Sequence, residues 1–274
     1  MFFDESQTKR YVRHFSLKEI GFQGQKKLLS SKVLVIGAGG LGSPAIMYLA
    51  AAGVGTIGIA DFDDVDLSNL QRQIIHQTKN IGLKKTKSAE ITAKSINPDV
   101  KIILHEYLLN PDNIMDIISE YDFILDCTDR FEVKFLINDA CVIAQKPYSH
   151  AGVVRFEGQA MTYVPGQGPC LRCLMEEVPH DAVTCREAGV VGAAVGVLGS
   201  VQALEAIKYL IGKGQLLSGK IFSFDGLSMN VRVHNIPNSD PACAVCGRTP
   251  SIKSLSDNIT DYQVQSCMIG GDEK

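Results

Sequence analysis

The run DFDDVDLSNLQRQ, Asp61 to Gln73, gathers carboxylates, amides and one arginine, with only Phe62, Val65, Leu67 and Leu70 to anchor it. Such side chains suit a sugar and its phosphates: a carboxylate accepts from ribose hydroxyls, and amide and guanidinium groups donate to phosphate oxygens. Just upstream lies GAGGLG, in which Gly37, Gly39 and Gly42 satisfy G-x-G-x-x-G around Gly40. In that motif the first glycine allows the tight turn, the second lets a ligand approach the backbone, and the third lets helix pack on sheet. The free N–H groups at the helix start favour an anion. Asp61 stands 19 residues after Gly42 at the end of a predicted strand, the place for a ribose acid.

The glycine loop alone would favour a dinucleotide and hydride transfer. The polar run points elsewhere, because Asn69 and Arg72 follow the ribose acid with donors for a polyphosphate. GLKKTKSAE then opens a helix with Lys84, Lys85 and Lys87 in or near its first turn, where the dipole favours anions. FILDCTDRFEVK sets Asp126 and Asp129 just beyond a strand, and ligands gather at the carboxyl ends of strands in such sheets. Asp129 is therefore a candidate to face phosphates and hold Mg2+. Glycine loop, ribose acid, arginine, lysine and terminal aspartate together read as an ATP site. A nicotinamide-dependent oxidoreductase and a non-catalytic nucleotide-binding scaffold are the competing readings.

Eight cysteines form the second constellation. PCLRC supplies Cys170 and Cys173, ACAVC supplies Cys243 and Cys246, and each C-x-x-C knuckle can give two thiolates to one tetrahedral Zn2+. Four thiolates with no open position describe a structural ion, with disulfides as the alternative in an oxidising compartment. Cys127, in a predicted strand, and Cys141, in a predicted helix, read as core. Cys185 lies in the polar segment PHDAVTCREAGVVG, with Arg186 beside it to favour a thiolate. His76, His105, His150, His180 and His234 show no metal spacing, and none is assigned a catalytic role.

These residues need a frame to hold them. Strand candidates at Lys32–Gly37, Thr56–Asp61, Val100–His105 and Asp122–Cys127 alternate with helical segments Leu41–Ala52, Lys84–Ile96 and Pro111–Glu120. That rhythm predicts an α/β fold with a doubly wound, parallel sheet. From Pro147 the pattern changes to YSHAGVVRFEGQAMTYV, two β-rich runs around Gly158, and later to KIFSFDGLSMNVRVHNI, read as antiparallel strands extending the same sheet. The apolar stretch Val191–Gly212 carries Gln202, Glu205 and Lys208 and reads as a buried helix, with Gly192, Gly196 and Gly199 admitting a neighbouring backbone. Composition, with 45% hydrophobic and 21% charged residues, describes a globular chain able to bury a full core. A net charge of -3 gives no hint of a nucleic-acid partner, and the N-terminus does not read as a signal peptide, so the expectation is a cytoplasmic protein with no membrane association.

The motifs GAGGLG, DFDDVDLSNLQRQ, DCTD and TCREAG resemble the ThiF/MoeB/HesA family, bacterial relatives of ubiquitin-activating enzymes, over about residues 7 to 248. The resemblance implies a Rossmann-like adenylyltransferase that uses ATP to adenylate the C-terminal glycine of a small ubiquitin-like sulfur-carrier protein ending in Gly-Gly. Thiocarboxylate formation for thiamin, molybdopterin or a related pathway would follow, with a sulfur donor such as a cysteine desulfurase or rhodanese. It implies that Asp61 holds the ribose, that Asn69, Arg72 and Lys85 contact phosphates, and that Asp129 serves magnesium and catalysis. Arg13, in RYVRH, matches the arginine that reaches the neighbouring subunit's ATP site in a homodimer, although His14 stands where the family has glutamine. Cys185 matches a cysteine that can link covalently to the carrier in thiamin-type members and that molybdopterin-type members need not use. The organisation expected is one ATP-binding domain over 1–250, with a helical arm at 1–30, the zinc knuckle at 170–173 and 243–246, and a flexible tail at 251–274. The Gly270–Gly271 pair in that tail reads as part of a loose end, since too few residues surround it for a carrier fold.

Overall fold

The computed structural model describes residues 3–179, 188–236 and 238–263. Strand β1 (Lys32–Ile36) is buried at every position after its first, as an apolar β-branched run must be when both faces of a parallel sheet are covered. It pairs in parallel with β2 (Thr56–Ala60) on one side and with β4 (Phe123–Asp126) on the other, and β3 (Lys101–His105) lies beyond β2. The remaining strands are β5 (Tyr148–Val154), β6 (Glu157–Tyr163), β7 (Lys220–Asp225) and β8 (Asn230–Asn235). The sheet runs β3-β2-β1-β4-β5-β6-β7-β8. Strand order reverses between β1 and β4, and the crevice at their carboxyl ends is where such sheets bind ligands.

Among the described residues the α-helices are α1 (Glu5–Phe15), α2 (Gly21–Ser30), α3 (Gly42–Ala52), α4 (Lys85–Ile96), α5 (Ile114–Ser119), α6 (Phe131–Ile143) and α7 (Gly192–Ile211). Leu28, Ile46, Leu49, Ala89, Leu198 and Ala203, from α2, α3, α4 and α7, pack on one face of the sheet. Ile114, Ile118, Leu136 and Ile137, from α5 and α6, cover the other, together with Cys170, Cys243, Leu255 and Tyr262. The N-terminal arm is helical as expected. Asp4 caps α1 by accepting from the Gln7 N–H at 2.7 Å, and the buried Tyr11 accepts from Asn97 Nδ2 at 3.0 Å, which docks the arm on the body.

Helix α7 is long and apolar enough to cross a membrane, but its polar residues are spent inside the fold. Gln202 Nε2 donates to the carbonyls of Asp126 and Ser149 at 2.8 and 3.1 Å. Glu205 accepts from Thr162 Oγ1 and from the Leu217 N–H, both at 2.7 Å. Two of its glycines do admit a neighbour: a Cβ at Gly199 would overlap the Leu41 carbonyl oxygen, and one at Gly192 would meet the Gln71 oxygen at 2.7 Å. Gly196 faces open space and has no such role.

Three expectations need correction. Strand β5 is parallel to β4, and antiparallel pairing begins only with β6. The turn between β5 and β6 lies at Arg155, whose φ is 55°, while Gly158 sits inside β6, where a Cβ would press on Leu198. Residues 251–263 are not a loose tail. Ile252, Leu255 and Tyr262 are buried against α6, and Tyr262 donates its hydroxyl to Asp139 at 2.7 Å. The anchor is Arg172, which pairs with Asp139 at 2.8 Å and with Asp261 at 3.0 Å. Cys185, His180, Arg186, Cys267 and Gly270–Gly271 lie outside the described residues.

Candidate functional site

The glycine loop joins β1 to α3 at the switch point. Gly37 adopts a φ of 96°, and a Cβ there would meet the Cys127 carbonyl oxygen at 2.7 Å. A Cβ at Gly42 would overlap the Gly37 carbonyl oxygen, and one at Gly40 would meet Val195 Cγ1 at 2.7 Å. Protein packing therefore demands those three glycines. Gly39 differs, because its added Cβ would meet nothing nearer than Gln73 Nε2 at 3.7 Å. No neighbouring protein atom requires a glycine there, and its backbone is open to the approach of a ligand. The buried Gln73 side chain also has an Oε1 with no hydrogen-bond partner. An open glycine backbone beside an unsatisfied buried acceptor fits a bound polar molecule.

Asp61 closes the loop from β2. Its Oδ2 accepts from the Ala38 N–H at 2.8 Å and its Oδ1 from the Asp63 N–H at 2.9 Å. Burial pushes its carboxyl above the ordinary value, opposed by Lys85 and by those two N–H groups. Lys85, at the start of α4, is buried and donates to Asp63 Oδ2 at 2.7 Å. Asp61 and Lys85 thus share Asp63 as an intermediary. Behind the loop, His76 spans from the Ala38 carbonyl to Ser88 Oγ, both at 2.9 Å. Since burial lowers its pKa, its neutral ring serves as a strut.

In the polar run only Val65 among the four apolar anchors is buried, while Phe62 and Leu67 are exposed. The run is held by polar contacts instead. Asp66 and Asn69 form a reciprocal cap on the 3-10 turn Leu67–Asn69, with Asn69 Oδ1 accepting from the Asp66 N–H at 3.2 Å. Arg72, one turn later, donates to the Ser68 carbonyl at 3.1 Å, and its Cγ lies 3.7 Å from where a Gly40 Cβ would stand. The structure therefore brings Gly37, Gly39, Gly40, Gly42, Asp61, Arg72 and Lys85 to one crevice. Asn69 reaches it through its cap on the turn that carries Arg72.

Across the switch point, Asp129 is exposed just before α6. The turn leading to it hangs on Asp126, whose Oδ1 accepts from the Thr128 N–H at 3.1 Å and from its hydroxyl at 2.7 Å. Asp126 Oδ2 takes Lys134 Nζ at 3.2 Å and His150 Nδ1 at 2.8 Å. Complete burial opposes ionisation of Asp126, yet Lys134, His150 and Thr128 outweigh it and hold the carboxyl well below the usual range. Sequence reasoning missed this trio, since its members come from β4, α6 and β5. Arg13 stands exposed on α1, and His14 Nδ1 contacts Gln25 Oε1 at 2.7 Å.

The four knuckle cysteines meet. Their Sγ atoms lie within 4.8 Å of one another, with Cys170–Cys243 at 3.7 Å, Cys170–Cys173 at 4.0 Å and Cys173–Cys246 at 3.3 Å. Sulfurs about 2.3 Å from one tetrahedral zinc would stand about 3.8 Å apart, so the donor set fits. The Asp240 N–H donates to Cys173 Sγ at 3.4 Å, support of the kind ligating thiolates receive. Cys127 and Cys141 are buried as core, and burial pushes both thiols far up.

A mixed sheet with a parallel core, and a glycine loop and Asp61 at its switch point, defines a Rossmann-like domain. The chain belongs to the ThiF family, whose model matches residues 11–245. It is 45% identical over 250 residues to an adenylyltransferase and sulfurtransferase MOCS3 of Drosophila persimilis, covering 90% of this chain and 55% of that protein. It is 44% identical over 256 residues to a MOCS3-2 of Zea mays bearing the same description, covering 93% and 53%. The chain spans about half the length of the curated relatives it matches. Among solved structures, E. coli MccB with MccA-N7isoASN matches with a TM-score of 0.78 at 23% identity, covering 89% of this chain and 76% of that one. E. coli MccB with ATP matches at 0.74 and 23%, covering 89% and 75%. These structures show a shared fold.

Proposed function

We propose that this chain uses ATP to adenylate the C-terminal glycine carboxylate of a small ubiquitin-like sulfur-carrier protein, preparing it for thiocarboxylate formation. The observation that carries the reading is the crevice around Gly39, open to a ligand and flanked by Asp61, Arg72 and Lys85. The descriptions of the MOCS3 relatives support adenylyl transfer over hydride transfer.

Adenylation asks little acid–base chemistry of the protein. The attacking carboxylate oxygen is already ionised; it bonds to the α-phosphorus, and pyrophosphate leaves with the electron pair. What the protein supplies is alignment and countercharge. Asp61 takes the ribose hydroxyls, the N–H groups of the glycine loop and α3 face the phosphates, and Asn69 helps hold them. Arg72 and Lys85 stabilise the departing pyrophosphate. Asp129 would hold Mg2+, which supplies charge neutralisation to the phosphate oxygens. Zn2+ at Cys170, Cys173, Cys243 and Cys246 would be structural. Arg13 would complete the site of a second copy in a homodimer, Cys185 is the candidate thiol for covalent capture of the carrier, and a desulfurase- or rhodanese-type donor would bring the sulfur. The cytoplasm is the compartment this chemistry suits.

Carrier-dependent exchange of labelled pyrophosphate into ATP tests the reading. Arg72→Ala and Lys85→Ala should each lower it by about two or more orders of magnitude, the scale for losing a transition-state charge contact. Full exchange in both folded variants refutes the assignment.

A further inference from the structure

Adenylation needs no base, but the step that consumes the adenylate does. A thiol with an ordinary pKa of about 8.5 is mostly protonated near neutral pH, and only its thiolate attacks readily. The described histidines differ sharply in their capacity to take that proton. His76 has both ring nitrogens engaged, by Ala38 and Ser88, and His105 has both engaged, by Tyr107 and Tyr121. His234 is on the edge strand β8, and His14 is on the arm.

His150 has a different arrangement. It faces Asp126 across the β4–β5 pairing at the carboxyl end of β4, and its Nδ1 lies 2.8 Å from Asp126 Oδ2. Asp126 is ionised and accepts only, so the shared proton belongs to Nδ1. Burial and the neighbouring Lys134 favour the neutral ring. Nε2 is then a lone-pair acceptor, and no described protein group donates to it. The side chain is 14% exposed. The other oxygen of the same carboxylate holds Thr128, the residue before Asp129. One buried carboxylate therefore positions both the phosphate-side turn and an oriented imidazole.

We infer that His150 is the general base for attack of a thiol on the carrier adenylate, with Asp126 orienting it and Lys134 as a positioning residue. This rests on the adenylation reading above. In the step, Nε2 takes the S–H proton as the sulfur bonds to the terminal glycine carbonyl carbon. The bond from that carbon to the phosphate oxygen breaks, AMP leaves with the electron pair, and the products are a carrier thioester and AMP. The imidazolium formed is stabilised by Asp126 and returns its proton to solvent. No electrons are gained or lost overall.

The test compares two nucleophiles with ATP and a diglycine-ending carrier: an alkyl thiol, and hydrosulfide, which is already largely ionised near pH 8. Pyrophosphate exchange in the same samples reports the first step, so the readout is the ratio of carrier thiolation to exchange. His150→Asn keeps an N–H donor toward Asp126 but has no base. It should lower the ratio by about 10²-fold or more with the alkyl thiol, the range of general base catalysis, and far less with hydrosulfide. An unchanged ratio, or an equal fall with both nucleophiles, overturns the inference while leaving adenylation in place. Absence of carrier-dependent exchange in the unsubstituted protein overturns both. Should His150→Asn not fold, the unsubstituted protein decides: a normal solvent deuterium isotope effect on thiolation with the alkyl thiol and none with hydrosulfide supports the base, and none with either overturns it.

Discussion

Substituting Gly39 by alanine separates a glycine kept for a ligand from one kept for the fold. Its Cβ would stand 3.7 Å from Gln73 Nε2, an ordinary contact, and its φ lies outside the left-handed region. The free protein should therefore melt at or slightly above its usual temperature, since a compatible Gly→Ala change gains about 0.4–1 kcal/mol through the unfolded state. The ligand effect should move the other way. ATP at about 100 times its dissociation constant stabilises a protein by about 2.7 kcal/mol. At roughly 2–4 °C per kcal/mol for chains of about this size, that is a rise of about 5–10 °C. With the phosphates approaching Gly39 as proposed, the methyl group of Gly39→Ala would stand in their way, so most of that rise should vanish. Gly42→Ala is the contrasting control, because its Cβ would overlap the Gly37 carbonyl oxygen, and it should lower the melting temperature with or without ATP. Thermal melts of the unsubstituted protein and both variants, with and without nucleotide, read all the values. A Gly39→Ala protein that keeps its full ATP-induced rise refutes the reasoning, as does one that fails to fold.

Zinc content and stability should fall together in Cys170→Ser or Cys243→Ser, from one ion per chain measured by elemental analysis, because metal binding is coupled to folding; a stable zinc-free protein with two oxidised C-x-x-C pairs refutes the site. Stability should also fall on mild acidification, because burial holds His76, His105 and His150 below their ordinary value of 6.5. As pH drops through that value the unfolded chain takes up protons that the folded chain refuses, at a cost of at most about 1.4 kcal/mol per pH unit for each histidine. A melting temperature no lower at about pH 5.5 than at about pH 7.5 contradicts this. The lowered Asp126 carboxyl adds its own loss only below the ordinary carboxylate value of 3.8.

Strands β1 to β4 were legible because each is a short, largely apolar run, whereas β5, with Ser149 and His150 near its start, was read as antiparallel although it pairs in parallel with β4. The places of Gly37, Gly42 and Asp61 were legible for a related reason, since turn, helix start and strand end fall at fixed offsets along one βαβ unit. The C-x-x-C pairs announced themselves by local spacing, although only the fold brings Cys170 within 3.7 Å of Cys243. Asp126, Lys134 and His150 had no such signature, because no period connects a strand end, a helix turn and the next strand. Residues 251–263 misled through composition: SIKSLSDNITDYQ is polar on average, yet Leu255 and Tyr262 bury and Asp261 satisfies Arg172. Gly158 misled because the turn beside it is made by Arg155 in a left-handed conformation.

The four-cysteine cluster also imposes an order of events on a growing chain. Cys170 and its partner Cys243 are 73 residues apart, with α7 and the β7–β8 hairpin between them. At roughly 5–20 residues per second, the first thiol pair waits roughly 4–15 s for the second to be made. During that interval Cys170 and Cys173 are an open two-thiol site, available to any soft metal or oxidant the cell presents. Closing so long a loop is a late contact in folding, since its entropy must be spent before the contact returns anything. A metal held there would therefore act as a seal on a sheet whose strands are already made, and with zinc, as proposed, its supply during synthesis would set how many chains reach the native state rather than how fast each one works.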